Sequence, residues 1–243
     1  FIKDRKLMMH VVLGTINPVQ EIVARAKAVD ACVLLDAAQS VPHQSVDVQA
    51  LGVDFLAFSG HKMCGPSGIG VLYGREQLLE KMPPFLGGGS MIHNVTEEGF
   101  ESAQLPAKFE AGTPPIVPAI VLKSAIDYLE EIGLEQIQQH EAALLSHAHQ
   151  LLADVDGLQI LGPAPEKKGG IVSFVIDGIN PGDISVLLDQ QGIAIRAGHH
   201  CAMPLHQKLG IASSSRASFY FYNTLAEIER FVETLEETRQ VLG

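Results

Sequence analysis

Asp54-Phe55-Leu56-Ala57-Phe58-Ser59-Gly60-His61-Lys62 is an apolar run that ends on a basic residue. Its first five residues read as a buried strand, and Cys64-Gly65-Pro66-Ser67-Gly68 follows as a turn. Lys62 therefore stands at the edge of a core, where loss of water can free an amine to act as a nucleophile. Upstream, Val33-Leu34-Leu35 runs into Asp36, with Gln39 just beyond. Each charge taken alone has an ordinary reading as a strand end facing water. An amine and a carboxylate, each closing an apolar strand, point together to a bound cofactor.

Strand and helix signals alternate around this run, the pattern of βαβ units about a parallel sheet. Residues 7–13 read as a strand. Asn17-Pro18 opens a helix to about residue 29, with Asn at the cap and Pro in the first turn. Further strands are expected at 32–35 and 68–73, and a short helix at 76–81. Residues 83–118 are rich in Gly and Pro with little periodicity, so they read as a long loop that is functional or lies at an interface. Amphipathic helices at 120–132 and 134–153 are separated by Gly133. The second half changes character, with strands at 158–161, 171–176, 193–196 and 217–222 and helices at 183–190 and 225–241. The expected class is α/β. Residues 1–154 would form part of a mostly parallel-sheet large domain, and residues 155–243 a small α+β domain.

At 243 residues the chain can build one sizeable core, or one large and one small domain. Its 47% hydrophobic and 19% charged content is ordinary for a soluble globular α/β protein. A formal net charge of −11 without a basic run argues against a nucleic-acid surface. No apolar stretch approaches a membrane span, and Phe1-Ile2-Lys3-Asp4-Arg5-Lys6 does not resemble a secretion signal. Three cysteines fit a reducing compartment rather than a disulfide framework, so the cytoplasm is expected. The chain begins at Phe1 and enters a strand pattern at once, which reads as a fragment of a longer protein.

The chemistry-bearing residues fall into two groups. Asp36 lies at the C-terminal end of a strand, where open α/β sheets bind ligands. A carboxylate there can keep a pyridine nitrogen protonated, and Lys62 can form a Schiff base, the two groups a pyridoxal phosphate site needs most. Gln39 can hydrogen-bond a ring substituent, and Ser59 and His61 flank Lys62 with donors suited to phosphate. Their alternative roles are a turn cap and a strand-end histidine. Gly87-Gly88-Gly89-Ser90 and Phe109-Glu110-Ala111-Gly112-Thr113-Pro114 lie in the long irregular region, where Thr113 could donate to a phosphate.

The second group is Arg196-Ala197-Gly198-His199-His200-Cys201-Ala202-Met203-Pro204. Two histidines before a cysteine can stabilise a thiolate and supply proton transfer, which makes Cys201 and His200 catalytic candidates. A rival reading is a metal site on His199, His200, Cys201 and His206, weakened by the absence of a second ligand pair at finger spacing. Cys32 and Cys64, beside apolar segments, read as small buried residues. Arg216 leads into an apolar strand and, like Arg196, could hold a carboxylate through its planar guanidinium or form a surface ion pair.

These motifs together resemble the group II, SUF-type cysteine desulfurases, which belong with the class V aminotransferase-like pyridoxal phosphate enzymes. The resemblance covers residues 13–243. Its motifs are Leu13-Gly-Thr-Ile-Asn-Pro, Asp36-Ala-Ala-Gln39, Ser59-Gly-His-Lys62, Gly87-Gly-Gly-Ser-Met-Ile, Phe109-Glu-Ala-Gly-Thr-Pro, Arg216-Ala-Ser and above all Arg196-Ala-Gly-His-His-Cys201-Ala. It implies the C-terminal part of a fold type I large domain followed by the small domain, and L-cysteine converted to L-alanine with sulfur held as a persulfide on Cys201. By the resemblance Lys62 is the Schiff-base lysine, Asp36 the pyridinium partner and Gln39 the neighbour of the ring hydroxyl. Ser59 and His61 hold the phosphate, Thr113 reaches the phosphate of the other subunit of a homodimer, and Arg216 binds the substrate carboxylate.

The persulfide would pass to a sulfur-acceptor protein for iron–sulfur cluster assembly. L-selenocysteine would fit the same site, so a selenocysteine lyase or another class V enzyme is the alternative. An inactive or scaffold fragment is the alternative of a different class. Two departures are expected to matter. His10-Val11 stands where the family usually carries Ser-Asn, and the family's N-terminal portion, with the histidine that stacks on the cofactor ring, has no counterpart here.

Overall fold

The computed structural model describes residues 6–243; Phe1–Arg5, on which the reading of the chain's start rests, lie outside the described residues. Two compact units emerge. Among the described residues the first comprises 6–7, Val19–Pro42 and Val46–Glu131, and the second Met8–Pro18, His43–Ser45 and Ile132–Gly243. No helix among the described residues is long and apolar enough to cross a membrane.

In the first unit β1 (Lys6–Leu7), β2 (Leu34–Asp36), β3 (Phe55–Ser59) and β4 (Gly70–Gly74) lie side by side in that order. β1 pairs with β2 and β2 with β3 in parallel, while β4 runs antiparallel along β3. Leu35 and Leu56 are buried in this sheet. Helix α1 (Val19–Lys27) buries Val19 and Val23. The short α2 (Val48–Leu51) is capped by the Asp47 carboxylate, which accepts from the Gln49 and Ala50 amides, and stops at left-handed Gly52.

Buried Asp54 ties this region together. It accepts from Lys27 Nζ at 2.5 Å and the Val33 amide at 2.8 Å, with Arg75 Nε at 3.3 Å. Burial opposes its ionisation, but those bonds and the two cations outweigh it and hold the carboxyl below the usual carboxylate range. Beyond α3 (Glu76–Lys81), the region expected to be irregular contains a hairpin of β5 (Ile92–Val95) and β6 (Phe100–Ser102). Helix α4 (Ile116–Ile132) buries Leu122, Ala125 and Leu129 on one face.

The second unit carries a wholly antiparallel sheet in the order β7 (Leu158–Leu161), β8 (Ile171–Ile176), β10 (Ser214–Ser218), β9 (Arg196–Gly198). Helices α5 (Leu134–Leu152), α6 (Pro181–Gln190) and α8 (Leu225–Leu242) supply Leu144, Leu152, Ile184, Leu188, Ile228 and Leu235 to a core that also takes in Phe174 and Val172. Each such side chain contributes roughly 1.5–3 kcal/mol by leaving water. Asn180 caps α6 ahead of Pro181, and Thr224 with Glu227 forms a reciprocal capping box on α8. A short helix, α7 (Met203–Leu209), follows the cysteine loop and ends at left-handed Gly210.

Several expectations need correction. The strand expected over 7–13 stops at Leu7, because His10 Nδ1 accepts from the Val12 and Leu13 amides and the Gly14 amide bonds the His10 carbonyl, folding a turn instead. The strand expected at 193–196 is displaced to Arg196–Gly198, since the Ile193 amide is taken by the Leu188 carbonyl at the end of α6. The strand expected at 217–222 is Ser214–Ser218; past Phe219 the Tyr220 amide bonds Asn223 Oδ1 in a turn, so Arg216 sits within the strand rather than ahead of it. The second unit takes up the chain at Ile132 rather than near 155, because α5 packs on its core. Cys32 and Cys64 are exposed: Cys32 precedes the first ladder residue of β2, and Cys64 occupies a left-handed turn position at φ 60°.

Candidate active site residues in two units

In the first unit the parallel pairing of β2 and β3 brings their C-terminal ends to one edge of the sheet. Asp36, the last residue of β2, stands opposite Ala57, and Ser59 closes β3 two residues later. A single 3-10 turn, Gly60–Lys62, then carries His61 and Lys62. This turn is tightly enclosed. A Cβ on Gly60 would lie 2.9 Å from Ile69 Cγ2, and one on Gly65 would lie 2.8 Å from both the Gly60 carbonyl oxygen and Leu122 Cδ1. Only glycine fits at either place, which fixes the direction in which Lys62 leaves the sheet.

The Asp36 carboxylate accepts from the Ala38 amide at 3.2 Å, which starts the turn that carries half-buried Gln39. Among the described residues the side chains of Gln39, Ser59, His61, Lys62 and Thr113 make no hydrogen bond or ion pair. Buried Ser40 Oγ is unpartnered as well. An amine, a carboxylate and a set of uncommitted hydroxyl, amide and imidazole groups thus share one unit, a donor set that fits a phosphorylated pyridine aldehyde. Thr113 is exposed, and the Gly112 amide bonds the Gly89 carbonyl at 2.8 Å, joining the two glycine motifs of the irregular region. No bond connects Thr113 with Lys62 or Asp36 among the described residues.

In the second unit Arg216 on β10 stands directly opposite Arg196 on β9. Two guanidinium groups facing each other across neighbouring strands repel, and an anion between them relieves the repulsion. Arg216 Nη1 donates to the Val11 carbonyl at 2.9 Å, while its Nε is buried without a partner. Burial first, and then the Arg196 charge, depress the pKa of Arg216 below its ordinary value. Val11, at the position where the resemblance expects asparagine, meets Arg216 through its main chain. Exposed Cys201 follows β9, with Arg196 Nη2 4.0 Å from its Sγ.

His200 departs from the role expected of it. Its ring is buried and turned to Ser214, with Nε2 3.0 Å from the carbonyl and 3.1 Å from the hydroxyl. Burial, followed by the Arg216 charge, lowers its pKa to about 4. At neutral pH it is an uncharged imidazole and cannot be the cation that stabilises a thiolate. The rival metal reading of this run finds no support either: the described residues contain no group of three or more His, Cys, Asp or Glu placed to hold an ion. Two participants were not anticipated from sequence. His206 and Ser214 are both buried and bonded to each other; the sequence marks the histidine only as a ligand candidate, and a serine in Ser213-Ser214-Ser215 carries no local signal.

Comparisons with known proteins give the chain a family. The family profile described as Aminotransferase class-V matches residues 7–231. The chain belongs to the class-V aminotransferase family. Among curated members, a probable cysteine desulfurase of Streptomyces coelicolor is 52% identical over 233 residues, covering 96% of this chain and 56% of the relative. A cysteine desulfurase of Haloferax volcanii is 47% identical over 247 residues, covering 100% of this chain and 58% of the relative. The chain thus spans a little over half the length of the curated relatives it matches. Among solved structures, a cysteine desulfurase of Escherichia coli superposes with a TM-score of 0.94 at 36% identity, over 98% of this chain and 59% of that one. The apo cysteine desulfurase of Thermococcus onnurineus gives a TM-score of 0.94 at 42% identity, over 98% and 60%. The α/β, fold type I reading of the class-V family is borne out by these superpositions.

Proposed function

We propose that this chain carries the chemistry of a pyridoxal phosphate-dependent cysteine desulfurase, converting L-cysteine to L-alanine with the sulfur taken up as a persulfide on Cys201. The observation that carries the reading is the pairing of two sets of groups in one class-V chain. One is an uncommitted Lys62 at a sheet edge shared with Asp36; the other is an exposed Cys201 beside two opposed arginines. The names of the relatives support the same reaction.

Lys62 would hold the cofactor, with Asp36 at the ring nitrogen, Gln39 at the ring hydroxyl, and Ser59, His61 and Thr113 at the phosphate. When bound, pyridoxal phosphate supplies an electron sink for charge developing at the substrate Cα. Arg216, with Arg196 opposite, binds the substrate carboxylate, its partnerless Nε completing the fork. Lys62 Nζ takes the proton from Cα and returns it further along the substrate. Asp36, oriented by the Ala38 amide, would face the ring nitrogen. Cys201 Sγ then forms a bond to the substrate sulfur as the Cβ–S bond breaks. The bonding pair stays with the carbon skeleton, which takes up protons and leaves as alanine. His200 stays neutral and shapes the loop rather than moving protons.

The exposed position of Cys201 suits delivery of the persulfide to a sulfur-acceptor protein, in the service of iron–sulfur cluster assembly. Three exposed thiols suit a reducing cytoplasm. The apolar face of α4 bearing Ile116, Val117, Ile120 and Val121 suits a homodimer. The test is direct. Pyridoxal phosphate added to the purified chain should give a visible absorbance band that Lys62→Ala abolishes, and L-cysteine should yield alanine and, with reductant, sulfide. A band that survives in Lys62→Ala removes the lysine assignment. Undiminished sulfide release by Cys201→Ser removes Cys201 from the reaction.

A further inference from the structure

Three side chains of the second unit form a connected set on which the proposed reaction makes no demand. His200 Nε2 lies 3.0 Å from the Ser214 carbonyl and 3.1 Å from the Ser214 hydroxyl. His206 Nε2 lies 2.9 Å from the same hydroxyl, and its Nδ1 lies 3.1 Å from the Ala202 carbonyl. All three residues are buried, at 3%, 1% and 0% exposure for His200, His206 and Ser214.

A carbonyl oxygen only accepts, so its partner assigns the proton on each ring. His200 carries hydrogen on Nε2, because that nitrogen faces the Ser214 carbonyl. His206 carries hydrogen on Nδ1, because that nitrogen faces the Ala202 carbonyl. The Nε2 of a neutral His206 is then an acceptor, and the Ser214 hydroxyl donates to it while accepting from His200 Nε2. Every proton in the set has one place. Burial, which depresses the pKa of His200 to about 4, keeps that ring in the neutral form the wiring requires.

The tied residues bracket Cys201. His200 and Cys201 are successive non-glycine residues in the left-handed region, with φ of 50° and 64°. Backbone of this kind is strained for a residue that carries a side chain, and neighbouring contacts must offset the strain. Ala202 is the N-cap of α7. A single hydroxyl thus holds the residue before the cysteine directly and the residue after it through His206.

We propose that Ser214 and His206 are positioning residues that clamp the Cys201 loop from both sides and keep Cys201 Sγ beside Arg196. The inference rests on the reading of Cys201 as the sulfur-accepting residue, and its test is chosen to work without turnover. The whole chain is alkylated with iodoacetamide and the rate at each cysteine is read from its peptide by mass spectrometry, with exposed Cys32 and Cys64 as references.

Ser214→Ala removes the shared hydroxyl, and His206→Phe keeps a ring while removing both of its bonds. Either change should slow alkylation of Cys201 roughly three- to tenfold as the sulfur drifts from the guanidinium, with Cys32 and Cys64 unaffected. Ser214→Thr retains the hydroxyl and should restore the rate. The double variant should be no slower than the slower single one, because both act through one set. With cofactor bound, the same variants should lower kcat for sulfide release and leave KM for L-cysteine unchanged. Should Ser214→Ala not fold, His206→Phe carries the test alone. A Cys201 rate equal to wild type in the variants, or a Ser214→Thr as slow as Ser214→Ala, overturns the clamp. A slowed Cys201 in a chain that releases no sulfide leaves the clamp standing and removes the desulfurase reading instead.

Discussion

The two units differ in how far each buries its own apolar surface. In the second, an antiparallel sheet and three helices, two of them capped by side chains, enclose a core of fourteen buried residues, from Leu144 on α5 to Leu235 on α8. In the first, α4 buries Leu122, Ala125 and Leu129 on one side but leaves Ile116, Val117, Ile120, Val121 and Tyr128 exposed on the other, and β4 leaves Val71 and Leu72 exposed. The same contrast appears at the candidate residues. Cys201 is flanked by a bonded set around Ser214, in which the buried His200 Nδ1 alone lacks a partner, whereas Lys62, Ser59, His61 and Gln39 have uncommitted side chains. A group that must exchange partners with a cofactor needs spare valence, and one that must receive a sulfur atom at a set place needs a fixed loop.

The contrast can be broken most severely at Lys62. Lys62→Ala should lower desulfuration roughly 10²–10⁴-fold while leaving the thermal stability of the chain unchanged, checked by sulfide release and calorimetry together. Phe174→Ala, inside the closed core of the second unit, should cost about 3–5 kcal/mol in denaturant unfolding. Asp54→Asn should cost about 1–3 kcal/mol, because Lys27 and Arg75 lose the carboxylate they share and the Val33 amide keeps only a neutral acceptor.

A pH titration sharpens the same comparison. His149 and His200, both in the second unit, have pKa values lowered to about 4, in each case first by burial. The unfolded chain binds protons at these rings near pH 6.5 while the folded chain does not. Their contribution is therefore complete above pH 6.5 and is lost as pH falls toward 4. His149→Gln, which keeps an acceptor for the Lys168 ammonium 3.4 Å away, should flatten that acid limb. The smallest effect belongs to the open face: Ile120→Ser should change unfolding free energy by less than about 0.5 kcal/mol and act on self-association instead, read by sedimentation.

Much of this organisation was legible in the order of residues. The run from Asp54 to Lys62 reads as a strand, and its turn carries a lysine, because an apolar block followed by Ser-Gly leaves few other conformations. Helices α3, α5 and α8 lie within a residue of their expected ends, helped in α5 by one buried face and in α8 by a capping box. What escaped depended on partners distant in sequence. His10 looks like a strand residue until its ring takes two amides of the following turn. Arg216 looks like a leader to the aromatic segment, but its register is set by pairing with Ser173 and Arg196. The burial of His200 and its Ser214 contacts are tertiary facts that its place beside Cys201 in the sequence does not show. The hairpin of β5 and β6 is short and interrupted by a bulge, so it has no period to detect.

The central claim, that one unit anchors the cofactor at Lys62 while Cys201 of the other receives the sulfur, is most directly tested on the sulfur itself. The cofactor-loaded chain is treated with L-cysteine in the absence of reductant, and peptides containing Cys32, Cys64 and Cys201 are weighed. The account predicts a Cys201 peptide one sulfur atom heavier, with the other two unchanged and no such gain in Lys62→Ala. Sulfur found equally on all three cysteines, or on Cys201 without Lys62, would contradict it.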